Sequence, residues 1–469
     1  MLKKEIFRKY DIRGIFGEYF DAKGANLIGK AFGTYLLRNS KHKNIKVVLA
    51  KDGRNSSDEI EQEFQNGLQL TGVEITNIGF CASPVFLYAL CKGKFDGGCI
   101  ITASHNPGEY NGFKLELKNS KSLFGDELQK IYEIIEKGYF EICKKNNLKK
   151  IEVEAFFPTY LRKIREIETK GIEDFNFTKN NRPKVVIDGG NGVGGVYAVN
   201  IFRFLGYEVE ELFCEIDGNF PNHPADPEEE ENLEDLKKKV IELKADIGLA
   251  FDGDGDRIGI VDSEGNSYSA EQIMLPLLED FLEKSENKSV VCDLKVGGII
   301  KEFVEKKGGK YFETAVGHPF LKEKMKNENI LFGAESSGHF YLAEKYFVID
   351  DAFLAGALFL KKFFKTEKRQ KISEYFKNFE EKNGLKKYFK FTKKFEIDEE
   401  KKFKKIEEIG KILEKKFEIS KLDGIKIQYD DFTKIIIRAS NTSPKIQFEV
   451  ESDNEGKIEE IKGEFLELF

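Results

Sequence analysis

Three times along this chain a short, continuously apolar, β-branched run ends in a turn, at Ile45–Gly53, Lys184–Gly190 and Ser289–Lys295. Each run reads as a buried strand, because unbroken rather than alternating apolarity is what a parallel sheet covered on both faces requires. A helix-like stretch, a glycine and a second strand follow each one, beginning at Gly72-Val73-Glu74-Ile75, Gly206-Tyr207-Glu208-Val209 and Gly309-Lys310-Tyr311-Phe312. The order is strand, helix, strand in all three units, which predicts an α/β fold.

A third strand closes each unit and runs into its most unusual loop. Cys99-Ile100-Ile101 leads into Thr102-Ala103-Ser104-His105-Asn106-Pro107, and Ile247–Phe251 into Asp252-Gly253-Asp254-Gly255-Asp256-Arg257. Ile330-Leu331-Phe332 leads into Gly333-Ala334-Glu335-Ser336-Ser337-Gly338-His339. Ligands of open α/β sheets bind beyond the carboxyl ends of strands, so three equivalent loops facing one shared cleft is the economical reading.

From about residue 366 the style changes to Lys/Glu-dense helical segments. Two alternating strands follow, Thr433–Arg438 and Lys445–Val450, with Ala439-Ser440-Asn441-Thr442-Ser443-Pro444 between them. The expected architecture is therefore three similar mixed α/β domains with strand-end loops around a central cleft, plus a smaller C-terminal α+β domain. The boundaries are drawn at 1–150, 151–262, 263–366 and 367–469. A length of 469 residues suits three or four domains at roughly 150 each.

Composition narrows the partners. The 75 Lys+Arg against 82 Asp+Glu leave a net charge of −7 with both signs interspersed, so no cationic field exists for a nucleic acid. Cys81, Cys91, Cys99, Cys143, Cys214 and Cys292 form no C-x-x-C pair and no regular spacing, and read as reduced core thiols. No apolar run approaches the 18 or so residues of a membrane span, so no membrane partner and a cytoplasmic location are expected.

Asp252, Asp254 and Asp256 alternate with glycines, so three carboxylates can crowd on one side of a tight turn. Such crowding calls for a divalent cation. An EF-hand would need Gly where Arg257 stands and Glu where Ser263 stands. Oxygen-only ligation with open positions suits Mg²⁺ and a phosphoryl oxygen. Ser104 sits at the same topological point on a sharp Asn-Pro turn without the G-x-S-x-G surroundings of a hydrolase nucleophile, so a phosphorylatable serine facing the metal fits. Glu335, Ser337 and His339 offer the groups that grip adjacent sugar hydroxyls. Arg438, Ser440, Asn441 and Thr442 make a cradle for a phosphate dianion.

Two glycine patterns compete. Gly24–Lys30 imitates a Walker A loop, but Ala31 replaces the metal-binding Ser/Thr and no buried strand precedes it, so a helix is expected. Gly190-Asn191-Gly192-Val193-Gly194-Gly195 satisfies G-x-G-x-x-G between a strand and a helix, which keeps an NAD-dependent dehydrogenase as a rival. A sugar-phosphate-binding protein without turnover is the other.

The loops, together with Phe7-Arg8-Lys9-Tyr10-Asp11-Ile12-Arg13-Gly14, resemble the α-D-phosphohexomutases across nearly the whole chain, and within them the bacterial phosphomannomutase/phosphoglucomutase branch. The resemblance implies an isomerase that interconverts hexose 1- and 6-phosphates through a phosphoserine and a hexose 1,6-bisphosphate. Ser104 would carry the phosphoryl group and, with Asp252, Asp254 and Asp256, hold Mg²⁺. His105, Lys114 and His339 would serve catalysis. Tyr10, Arg13, Arg257, Lys295, His318, Glu335, Ser337 and His339 would bind substrate, and Arg438, Ser440, Asn441 and Thr442 the non-transferring phosphate. Glucose or mannose 1,6-bisphosphate would act as activator, phosphosugars would be the small-molecule partners, and a monomer or weak dimer is expected. Phosphoglucosamine mutases generally carry Glu-Gln-Ser-Gly-His and Arg-x-Ser-Gly-Thr. Here Ser336 follows Glu335 and the last loop reads Ser440-Asn441-Thr442. That favours mannose and glucose and leaves phosphoglucosamine mutase as the alternative, although mannose/glucose members usually have Met where Ser336 stands.

Overall fold

Each of the first three units builds the same sheet motif: three parallel strands in the order third, first, second, with an antiparallel strand hairpinned onto the third. In the first unit the trio is Gly97–Ile101, Lys46–Lys51 and Glu74–Phe80, and the antiparallel strand is Tyr110–Leu117. The second unit uses Ile247–Phe251, Lys184–Asp188 and Glu208–Leu212, followed by Ile258–Asp262. The third uses Phe332–Ala334, Ser289–Asp293 and Lys310–Thr314, followed by Phe340–Leu342. This computed structural model describes residues 1–42, 44–144, 152–153, 155–171, 177, 181–366, 370–398, 400–440 and 445–469.

The hairpin matters for function. Each unusual loop is tied at both ends into adjacent sheet strands, across the pairs Ile101↔Phe113, Phe251↔Ile258 and Ala334↔Phe340. A second threefold feature stands at the end of each first strand, where an aspartate turns back on the chain. Asp52 Oδ1 accepts from Arg54 N at 3.1 Å, Asp188 Oδ1 from Gly190 N at 2.9 Å, and Asp293 Oδ1 from Lys295 N at 2.7 Å. A side chain that captures the amide two residues on stops the strand and shapes the turn.

One apolar core runs through the three units, joined for example where Phe251 of the second meets Phe353, with ring centroids 5.1 Å apart, on the helix Ala352–Phe364. The first unit has a second core under its other sheet face, around Phe32, Phe64 and Phe113. The fourth unit is an antiparallel five-stranded sheet, Phe389–Glu396, Lys445–Ser452, Thr433–Ala439, Ile425–Asp430 and Ile419–Ser420 in that order, over its own core of Ile435, Ile437, Phe448 and Phe465. The expected boundary at 366 falls between the helices Ala352–Phe364 and Ile372–Asn383. Both share the core of the third unit, through Phe363–Tyr375 at 5.2 Å and Phe303–Phe379 at 5.0 Å, and the fourth sheet starts only at Phe389.

The Walker-like glycines lie inside the helix Ala22–Asn39, as expected, and serve helix packing. A Cβ on Gly29 would stand 2.1 Å from the carbonyl of Phe64 on the helix Ser57–Gln69. All six cysteines are free thiols, but Cys91 and Cys143 are only half-buried, so four of the six sit in the core. Among the described residues no helix is long and apolar enough to cross a membrane.

Candidate active site

Ser104 is buried, with φ of 52°, a left-handed conformation that non-glycine residues rarely adopt. The turn aims its hydroxyl at the second unit, where Ser104 Oγ donates to Asp252 Oδ2 at 2.8 Å. His105 Nδ1 lies 3.2 Å from the same Oγ. Burial, reinforced by Arg257 and Arg13, pushes His105 well below the usual histidine range, so its ring is neutral.

The three aspartates are fully buried and converge: one carboxylate oxygen from each lies within 4.8 Å of the others. Asp252 Oδ1 accepts from the amides of Asp256 and Arg257 at 2.9 and 3.1 Å, which curls the loop on itself. Lys114 Nζ bridges Asp254 Oδ2 and Asp256 Oδ2, both at 2.6 Å, and Ser83 Oγ adds 2.6 Å to Asp254 Oδ2. Burial and the two neighbouring carboxylates push Asp252 far up. Asp256 goes well down, since Lys114 and His339 outweigh its burial. Asp254 Oδ1 is buried with no hydrogen-bond partner among the described residues. An orphaned carboxylate oxygen in a crowd of three, with a serine hydroxyl beside it, fits a hard dication such as Mg²⁺.

The third loop folds around Glu335. Its Oε1 accepts from Gly317 N at 3.0 Å and its Oε2 from Tyr341 OH at 3.0 Å. Burial lifts Glu335 to about 7 despite the opposing pull of His339. His339 Nε2 pairs with Asp256 Oδ1 at 3.1 Å, and Ser337 Oγ meets His339 Nδ1 at 2.8 Å. Although burial opposes charging, Asp256 and Glu335 raise His339 to about 9, so it holds its proton at neutral pH. Asp293, the turn aspartate of this unit, accepts from Ser336 N at 2.7 Å and from Ser336 Oγ at 3.1 Å. The departure at 336 is therefore a side chain tied to the sheet end.

A cleft of about 310 Å³ lies between the loops. It brings together Tyr10, Arg13, Ser104, His105, Lys114 and Arg257 with Lys295, His318, Glu335, Ser337, His339, Arg438 and Ser440. Asp252, Asp254 and Asp256 do not line it but contact the lining residues Ser104, Lys114 and His339. Asn441 and Thr442 are outside the described residues. Arg13 is committed to Asp11 and Asn106, both at 2.6 Å. Arg438 Nε meets Asp423 Oδ2 at 3.1 Å, Lys295 faces Glu228 at 3.6 Å, and the His318 ring lies tilted against Tyr10 with centroids 5.7 Å apart.

Several contributors escaped the sequence reading. Asp226 and Glu228 face Arg257 at 3.5 and 3.6 Å, Ser83 supports Asp254, and Lys394, Lys445 and Gln447 line the mouth. Asp226, Glu228, Lys394 and Lys445 sit among charged residues that resemble any solvated surface, and Ser83 reads as the first residue of an apolar helix. The strand-end aspartates did carry a signal, because the same residue closes all three repeats.

The glycine turn of the dehydrogenase rival has no room for a dinucleotide. Cβ atoms on Gly192 and Gly194 would stand 2.5 Å from Gly253 O and 2.7 Å from Asp252 O, so the aspartate loop fills the helix N-terminus.

Comparison with known proteins agrees with this geometry. The family descriptions phosphoglucomutase/phosphomannomutase alpha/beta/alpha domains I, II and III match residues 4–141, 158–265 and 269–382, and the C-terminal domain of the same family matches 393–468. A phosphoglucomutase of Neisseria meningitidis is 32% identical over 99% of this chain and 96% of its own length. A phosphomannomutase/phosphoglucomutase of Pseudomonas aeruginosa is 33% identical over 99% and 95%. The crystal structure of a family protein from Burkholderia thailandensis superposes with a TM-score of 0.85 at 29% identity, covering 100% of this chain and 97% of that one. The chain belongs to the phosphoglucomutase/phosphomannomutase family.

Proposed function

We propose that this protein is a phosphohexomutase that interconverts the 1- and 6-phosphates of mannose, glucose or both. The observation that carries the reading is the Ser104 hydroxyl held 2.8 Å from Asp252, in a cleft that also presents Glu335, Ser337 and Arg438.

Ser104 carries the phosphoryl group. The free hydroxyl of the bound hexose phosphate forms a bond to phosphorus as the Ser104 Oγ–P bond breaks, giving a hexose 1,6-bisphosphate. After the sugar turns end for end, the other phosphate returns to Ser104. Glu335 and Ser337 grip two adjacent hydroxyls in either orientation, and Arg438, Ser440, Asn441 and Thr442 hold the phosphate that does not move. Asp252, Asp254, Asp256 and Ser104 Oγ would hold Mg²⁺, which when bound supplies positive charge to the phosphoryl oxygens.

Proton handling falls to Lys114 and His339, both in contact with Asp256. Burial opposes the charge on Lys114, yet Asp254 and Asp256 drive it above the ordinary lysine range, so it stays charged at neutral pH. His339, at about 9, is also protonated at neutral pH and releases its proton more readily than Lys114, so it acts as the acid that returns a proton to Ser104 Oγ. The fourth unit closes over bound phosphate, in line with Lys9–Asp423 at 3.0 Å to the first unit and Lys394–Glu229 at 3.1 Å to the second.

Incubation with mannose 1-phosphate, Mg²⁺ and a trace of glucose 1,6-bisphosphate should yield mannose 6-phosphate. Binding without turnover would leave only a sugar-phosphate receptor. Specificity constants for glucose, mannose and glucosamine phosphates, measured side by side, decide the sugar.

A further inference from the structure

We propose that Arg54 is a positioning residue for phosphoryl transfer, acting solely by gripping the backbone of the loop that carries Ser104. The inference rests on Ser104 as the phosphoryl carrier.

Arg54 is 3% exposed and every guanidinium N–H direction is used. Nη2 donates to the carbonyls of Ser104 and Asn106 at 2.7 and 2.6 Å. Nη1 donates to those of Pro107 and Tyr110 at 2.7 and 3.0 Å. Nε donates to Asp52 Oδ2 at 3.1 Å. Four carbonyls spanning residues 104 to 110 thus converge on one side chain, which no backbone ladder could arrange in so tight a loop.

The clamp is anchored from behind. Asp52 also accepts from Ser57 Oγ at 2.6 Å and from Arg54 N, so the threefold strand-end aspartate is extended, in this unit alone, by an arginine that reaches the functional loop. It is covered from the front by the second unit. Phe220 lies over the guanidinium at 5.0 Å, and a Cβ on Gly253 would stand 2.5 Å from the Ser104 carbonyl. That carbonyl is held between Arg54 and the aspartate loop. Freed from it, Ser104 would leave its left-handed φ of 52° and swing Oγ away from Asp252. Arg54 is absent from the cleft lining, so it touches no sugar phosphate and acts only through the loop. Lysine cannot replace it, since an ammonium is a point donor without the planar fork.

The test separates transfer from binding. Parental protein and Arg54→Lys are loaded with ³²P on Ser104, and single-turnover transfer to glucose 6-phosphate is timed. Affinity for glucose 1-phosphate is measured calorimetrically on the unphosphorylated proteins. We expect transfer to slow about 100-fold while the Kd stays within about threefold. Transfer at the parental rate, or transfer and affinity falling together, overturns the assignment. If Arg54→Lys does not fold by circular dichroism, Asp52→Asn, which keeps the guanidinium but loosens its anchor, takes the same measurement. A slowing under tenfold then overturns it. A parental protein that takes up no ³²P would refute Ser104 as carrier, an outcome distinct from either.

Discussion

Ser104 Oγ and Asp252 Oδ2, 148 residues apart in the chain, lie 2.8 Å apart at the contact of two structurally equivalent hairpin loops. The contact joins the serine proposed as phosphoryl carrier in one repeat to the three clustered carboxylates of the next. In the proposed reaction the two loops work together: the serine carries the phosphoryl group and the aspartates hold the cation that balances its charge.

Ser104→Ala should therefore lower kcat on the order of 10⁴-fold or more while leaving sugar-phosphate affinity nearly unchanged. Isomerisation assays beside calorimetric titration check this. Interconversion at full speed would remove Ser104 from the mechanism.

Asp254 accepts from Lys114 and Ser83 through Oδ2 and keeps a buried, unpartnered Oδ1. Asp254→Asn removes the charge and keeps the shape, so the Mg²⁺ concentration for half-maximal activity should rise by at least roughly 100-fold. Activity lost to EDTA should return with Mg²⁺ in the parental protein. Unchanged Mg²⁺ dependence in the variant would exclude Asp254 as a ligand.

Arg438 points its Nε at Asp423 at the mouth of the cleft. A charge-assisted hydrogen bond contributes about 1.5–3 kcal/mol, so Arg438→Ala should raise KM by roughly 10–100-fold, with a smaller change in kcat. Initial-rate kinetics with glucose 1-phosphate decide. An unaltered KM would take Arg438 out of phosphate binding.

Gly192 leaves no space for a side chain, since a Cβ would press on the backbone of Gly253. Gly192→Ala should destabilise the second unit by about 1–3 kcal/mol and weaken Mg²⁺ activation together. Chemical denaturation and a metal titration give both numbers. The same packing predicts no NADH binding by fluorescence, and a tight NADH complex would revive the dehydrogenase reading.

Asp351 caps the helix Ala352–Phe364 by accepting from Leu354 N at 2.9 Å, and Tyr160 OH reaches both its oxygens at 2.9 and 3.0 Å. Burial raises this carboxyl to about 7. A folded-state acid raised above its unfolded value of about 3.9 costs stability as pH climbs from about 4 through about 7 and adds no further loss above that. Asp351→Asn keeps the cap without the charge. Its melting temperature relative to the parental protein should climb across that window and level off beyond it, by the equivalent of up to about 4 kcal/mol. A difference independent of pH would show that Asp351 is not raised.

The amino-acid order alone marked the threefold repeat and the residues proposed to carry chemistry, because both are local. Unbroken apolarity marks a buried strand, and alternating Asp-Gly or a Ser before Asn-Pro marks a loop that no fold needs for packing. It could not show the antiparallel return strand, nor that the helix Ile372–Asn383 belongs to the third unit, since both depend on which surfaces meet. It could not show that Arg54 holds four carbonyls, or that Lys114, His339 and Asp256 form one charged group. Those facts arise when side chains far apart in sequence are buried together without water, where each polar atom must find a partner. Only the packed tertiary structure determines which partner is within reach.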